Sequence, residues 1–219
     1  MKTKRKNVIT VAITYVLVLL ALLFVGWVNN IAENAVYVLR LILPIVAWWP
    51  MLAPVVFFMC RDKETPKDIG FSKDNKLTQI LMGALAAGGS LTLFIVIPAL
   101  FGINMSYAGN MDVLAILYQF VYMMLAVALV EEVVFRGYLF KKLLDIGGSK
   151  WLAILASSAL FGLFHIWGGN PWQIFITAAI GLYWCVCREK VKHCTVPSLI
   201  IAHALHNTIH PIIAVIFFG

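Results

Sequence analysis

Apolar residues in this chain run on in long stretches, broken at intervals by short charged connections, instead of marking one face of an amphipathic helix or alternating along a strand. The stretches occupy roughly 8–28, 36–60, 77–101, 112–135, 151–167, 171–187 and 195–216. A helix needs about 20 residues to cross a hydrocarbon core of about 30 Å, and lipid admits few backbones other than helices. The pattern predicts an all-α fold, a polytopic membrane bundle of about seven transmembrane helices. The stretches 151–167 and 171–187 are short and separated only by Gly168-Gly169-Asn170, so they fit either two spans or a shallow re-entrant pair. The opening Met1 to Val25 has a basic start and an apolar core, but that core is as long as a span and no small-x-small cleavage site follows; it reads as a retained first helix. The longest connection, Arg61 to Lys76, is a charged loop too short to fold alone, which leaves residues 1–219 as a single transmembrane domain.

Composition agrees: 62% of the 219 residues are hydrophobic and 12% charged, outside the range of ordinary soluble domains. Charge adds the orientation. Of 17 basic residues, four lie at Lys2 to Lys6, five between Arg61 and Lys76, four between Arg136 and Lys150 and three between Arg188 and Lys192; Arg40 alone falls elsewhere. Sixteen thus sit on alternate connections, and the positive-inside rule places the N-terminus in the cytoplasm and the C-terminus outside. The formal charge of +7 is a topology signal and gives no ground for a nucleic-acid partner. The compact, basic chain fits a multi-pass protein of a bacterial plasma membrane. Cys60, Cys185, Cys187 and Cys194 fall at cytoplasmic ends, where thiols stay reduced. The spacing of Cys185, Cys187, His193 and Cys194 matches no usual zinc pattern. Pro44, Pro50 and Pro54 are expected to bend the second span, and Gly83, Gly88 and Gly89 with neighbouring alanines form a small-residue packing surface.

Glu131 and Glu132 are the only two of the ten acidic residues inside a long apolar stretch. A charge at the bilayer centre costs about 3 kcal/mol even on insertion scales, so such groups face a protein interior or water and serve a purpose there. At about 100° per helical residue, Glu132 and Arg136 lie about 40° apart and can pair, which turns Glu131 elsewhere. His203 and Asn207 share a face one turn apart, with His206 and His210 close to that stripe. Counting about 1.5 Å per residue from the nearest cytoplasmic Lys puts Glu131, His203 and His165 at about 15, 16 and 22 Å depth, compatible with one layer. The site is expected to open toward the cytoplasmic half. A carboxylate, two imidazoles and a carboxamide in a dry site suit hydrolysis of an acyl bond. The Glu serves as general base toward water, a His orients the nucleophile, and a second His and the amide donate to the oxyanion. Ser157, Ser158 and Ser198 are expected to bond their own helix backbones.

These residues resemble the motifs of the CPBP family of intramembrane proteases, which takes in CAAX prenyl endopeptidases and bacteriocin-processing or Abi proteins. The family's Glu-Glu-x-x-x-Arg matches Glu131, Glu132 and Arg136; its Phe-x-x-x-His matches Phe161 and His165; its His-x-x-x-Asn matches His203 and Asn207. Three motifs in the right order within about 80 residues, all on apolar helices, make the resemblance specific; it spans roughly 112–210. It implies that Glu131 and His165 activate water, that His203 and Asn207 form the oxyanion hole, and that Glu132 and Arg136 support them; His-x-x-x-Asn being a poor ligand pair, the spacing favours a mechanism with no cofactor. A zinc-dependent version, with Glu131, His165 and His203 as ligands, is the alternative within the enzyme class. A small transporter or proton relay, or a non-catalytic membrane scaffold, stands outside it. The implied partners are a membrane-associated peptide or protein substrate and the lipid bilayer, and the implied settings are peptide maturation and bacteriocin processing or immunity.

Overall fold

The computed structural model describes residues 2–72, 75–103, 112–168 and 171–218. Seven helical stretches appear among them: α1 (Lys2–Glu33), α2 (Tyr37–Asp62), α3 (Lys76–Leu100), α4 (Val113–Gly147), α5 (Lys150–Phe164), α6 (Pro171–Lys190) and α7 (Val196–Phe218). They follow the seven apolar stretches, and no strand occurs among the described residues. Five of them, α1 to α4 and α7, are long and apolar enough to cross a membrane, whereas α5 is shorter. The chain is an integral, multi-pass membrane protein.

Local chemistry explains the interruptions. In α2 a tight turn at Trp49–Met51 breaks the helix at Pro50, which has no N–H to offer the ladder. The fourth stretch, expected to stop near residue 135, continues as helix to Gly147, because Phe140–Gly147 is amphipathic and packs Phe140 and Lys142 inward. It ends where Gly148 takes a left-handed φ of 67° and returns its N–H to Leu144. Ser149 then caps α5 by accepting from the Leu152 N–H. Small residues set two close crossings: a Cβ at Gly83 would lie 2.6 Å from the Ser198 carbonyl of α7, and one at Gly162 would lie 2.5 Å from the Ile174 carbonyl of α6. The expected small-residue surface of α3 thus works through Gly83 and through Gly89, which meets Tyr183, while a Cβ at Gly88 would meet nothing.

Ion pairs gather the basic connections at one end of the bundle. Lys142, 2% exposed, donates from Nζ to Asp62 Oδ2 (2.9 Å) and Glu64 Oε1 (2.8 Å). Lys6 reaches the other Asp62 oxygen at 2.6 Å, Lys141 pairs with Glu64 at 2.9 Å, and Lys150 with Glu189 at 2.8 Å. The start of α1 and the ends of α2 and α4 therefore meet at one level. The connection after α2 folds back over this end: Ile69 is buried, the Gly70 carbonyl accepts from Val196 N–H (3.2 Å), and Gly137 of α4 lies close under the Ile69 carbonyl. Trp151, with Lys190 over its ring, is exposed here, while Trp27, Trp167 and Trp172 are exposed toward the opposite ends of their helices. Aromatic residues at both levels match the belts of a membrane protein.

All four cysteines are free; Cys60 is exposed and the other three are buried. Cys194, in the connection between α6 and α7, has its thiol pushed up to about 12 by burial. Replacing Lys142 with Met would remove the buried ammonium shared by Asp62 and Glu64, leaving Asp62 to Lys6 and Arg61 and Glu64 to Lys141 near the surface. Losing one partner of a buried ion-pair network is destabilising, so the Lys142→Met protein should melt at lower temperature in detergent, as thermal unfolding followed by tryptophan fluorescence would record.

Candidate active site

α4 is wound wider than an α-helix over Met123–Val127 and again over Glu132–Leu139, with Glu131 on the short α-helical segment between. Such π-helical turns are rare and occur often at functional sites. Shifting the hydrogen-bond ladder by one residue frees carbonyls for outside donors. Ser157 of α5 donates to Phe135 O at 2.8 Å, and the Arg188 guanidinium of α6 donates to Arg136 O. Ser157 thus reaches across to α4 and does not bond its own helix as expected; Ser158 does, to Ile154 O, and Ser198 bonds the turn at His193 and Thr195. Nothing in the sequence marks this winding.

Glu132 is fully buried and receives two donors on one oxygen: Arg136 Nη1 at 3.1 Å and His203 Nδ1 at 2.8 Å. Because the carboxylate is paired with the guanidinium, it accepts, and the His203 Nδ1–H donates. The tautomer is thereby set, and Nε2 points at Glu131, whose Oε2 lies 3.8 Å away. The Arg136 guanidinium sits over the Phe161 ring at 3.7 Å and near Trp184 at 5.3 Å, cation–π contacts that gain strength out of water. Room for it comes from Gly181 of α6, where a Cβ would stand 2.9 Å from Arg136 Nη2. Trp184 lies against His203, ring centroids 4.6 Å apart, and edge-on to His206.

His165 stands where α5 ends. Its N–H turns back to Gly162 O (3.0 Å), leaving Phe161 O without its helical donor, and the His165 Nδ1–H takes that place at 2.9 Å. The helix end fixes this second tautomer also, and again frees Nε2. Phe161 and Phe164 hold the ring edge-on at 4.9 and 5.4 Å. Asn207 lies one turn past His203; its amide points to Met123 Sδ at 3.6 Å, a weak contact that leaves it available. Of the residues singled out in the sequence, Glu131, Glu132, Arg136 and His203 come into one buried group, and His165 and Asn207 flank it half-buried. His206 turns to Ser90 Oγ of α3 at 2.9 Å.

Two cavities meet this group. One, of about 430 Å³, is lined by Glu131 and His165 together with Leu22, Gly26 and Trp48. The other, of about 770 Å³, is lined by His203, Asn207, His206 and His210, and by His165 again. His165 and Gln173 border both. Sequence reading missed Gln173, Trp184 and Ser90. Gln173 opens α6 just after Pro171, and Trp184 lies in an apolar span, so neither carries a signal of spacing or charge.

A multi-pass helical bundle with a buried carboxylate–imidazole group opening on two cavities defines a membrane protein with an ionisable site in its interior. Residues 113–209, which include Glu131, Glu132, Arg136, His165, His203 and Asn207, match the family model of type II CAAX prenyl endopeptidase Rce1-like proteins. That match supports an intramembrane endopeptidase in general. Neither the curated proteins nor the solved structures gave a match.

A Gly181→Ala substitution should push Arg136 off Phe161 and loosen Glu132 and His203 together. Overpacking of this kind costs about 1–3 kcal/mol. Cleavage should fall while Glu131, His165 and Asn207 remain; unaltered melting and unaltered cleavage would show that the guanidinium is not held by this contact.

Proposed function

We propose that the chain cleaves a peptide bond of a membrane-associated peptide or protein by a metal-free glutamate mechanism. Glu131, helped by His165, takes a proton from water, and the oxygen attacks the carbonyl carbon. The oxyanion that forms accepts hydrogen bonds from the Asn207 amide and from His203, which donates through Nε2 when both ring nitrogens carry protons. Glu131 then passes its proton to the nitrogen, and the C–N bond breaks with release of the amine and the carboxylic acid. Glu132 and Arg136 position His203 and take no part in bond making.

The observation that carries this reading is the placement of the Glu131 carboxylate: 2% exposed, 3.8 Å from His203 Nε2, and on the wall of the cavity it shares with His165. An ionisable group kept there at a desolvation cost is hard to reconcile with a silent scaffold, and the family match over 113–209 favours hydrolysis over transport. The zinc version fits the donor set less well. Among the described residues no three His, Cys, Asp or Glu side chains converge closely enough to hold a metal ion. The biological setting we favour is maturation of a peptide or processing of a bacteriocin in a bacterial plasma membrane.

Comparing membrane peptides from cells expressing the protein or its Glu131→Gln form by mass spectrometry tests the proposal. Loss of a general base costs about 10²- to 10⁴-fold, so the processed peptide should vanish and its precursor accumulate. Asn207→Ala should slow cleavage by about 10²- to 10³-fold. With that peptide in hand, the purified protein should keep its activity in strong chelators; loss restored by added zinc would overturn the glutamate mechanism.

A further inference from the structure

We propose that the two cavities are entered from the end of the bundle opposite the basic connections, the extracytoplasmic side. The substrate is then a peptide segment presented on that face, either the outer flank of a membrane span or a peptide already carried across. The inference rests on the protease reading for its substrate and on three independent features of the fold for its direction.

First, the basic end is closed. Lys6, Asp62, Glu64 and Lys142 tie α1, α2 and α4 together there. The connection 63–72 covers them with Ile69 buried and Gly70 bonded to the start of α7. Arg188 and Ser157 fill the carbonyl sites of α4 just below Glu131.

Second, the cavity walls come from the far ends of the helices. At about 1.5 Å per residue, Gly26 lies about 30 Å along α1 from Lys6, Pro98 about 33 Å along α3 from Lys76, Gln173 about 22 Å along α6 from Arg188, and His210 about 21 Å along α7 from Val196. All four line a cavity. The proposed entry departs from the expected opening toward the cytoplasmic half, because counting residues gives depth alone, whereas the folded connection 63–72 covers that end.

Third, the mouth lies at an interface level. Trp167, 66% exposed, lines the smaller cavity two residues beyond His165, and Trp172, 71% exposed, precedes Gln173. Exposed Trp at this position marks the boundary between headgroups and hydrocarbon. Sixteen of seventeen basic residues on the other connections make this the extracytoplasmic boundary. Across the join of the cavities, the Gln173 carboxamide and the free Nε2 atoms of His165 and His206 offer both donors and acceptors, as an extended peptide backbone requires. Apolar walls such as Ile95, Ile176 and Ile180 suit its side chains.

The direction can be tested without knowing the substrate. Gly26→Cys, whose Cβ meets nothing within 4 Å, and Gln173→Cys place thiols in the two cavities of the full-length protein. Membranes are exposed to a small, charged, impermeant methanethiosulfonate, and labelled positions are read by mass spectrometry. The exposed Cys60 at the basic end serves as the opposite-side control. Both new thiols should react severalfold faster in right-side-out than in inverted vesicles, with Cys60 showing the reverse. Faster labelling of positions 26 and 173 in inverted vesicles, or none from either side, overturns the proposal. The same pattern in a Glu131→Gln background separates access from catalysis: the direction can hold though the protease reading fails. Where cleavage is found, the scissile bonds should map to extracytoplasmic segments; bonds in cytoplasmic tails would refute the substrate class.

Discussion

Everything chemical in this bundle depends on one buried carboxylate accepting two donors. Glu132 holds Arg136 and His203 on the same oxygen, and a charge in this position is tolerable only because it is paired. Arg136 in turn lies on Phe161, so α4, α5 and α7 are joined through a few atoms. Removing Glu132 or Arg136 would leave the other an uncompensated charge at membrane depth. The same arrangement separates two adjacent and chemically identical side chains: Glu132 is consumed by structure, and Glu131, turned away from Arg136, faces a cavity. The bundle obtains two different carboxyl groups from one dipeptide through helix geometry alone.

The long-range features were the least legible in the sequence, and for a physical reason. Seven apolar stretches predicted seven helices, because in lipid the backbone has few other options. The pairing of Glu132 with Arg136 followed from helical spacing. The bond between His203 and Glu132 joins residues 71 apart on different helices, and no periodicity encodes which face of α7 meets α4. Depth could be counted from the nearest lysines. The folding back of the polar connection 63–72, with Ile69 inward, could not be read that way. The extension of α4 to Gly147 was hidden by its change from a wholly apolar to an amphipathic pattern at Phe140, where hydropathy falls but helical packing continues.

The two histidines are oriented by different devices with one result. His165 uses a carbonyl left over at a helix end, and His203 a carboxylate that already serves an arginine. In both, Nδ1 is engaged and Nε2 is free, so the two rings present the same atom to the space between them. A peptide carbonyl and a water molecule brought there would meet nitrogen atoms whose protonation is governed from outside the cavity, by groups the substrate never touches.

The wide turns of α4 carry a further consequence. A uniform α-helix can slide along its neighbours by a residue and recover equivalent hydrogen bonds, because its outer surface repeats. The stretch Glu132–Leu139 has lost that freedom: two of its carbonyls are claimed by Ser157 and Arg188 on separate helices. It behaves as a keyed shaft seated in a slot, with one permitted height and one permitted rotation. Glu131, immediately above the key, inherits both, so the height of its carboxylate relative to α5 and α6 is set by backbone geometry.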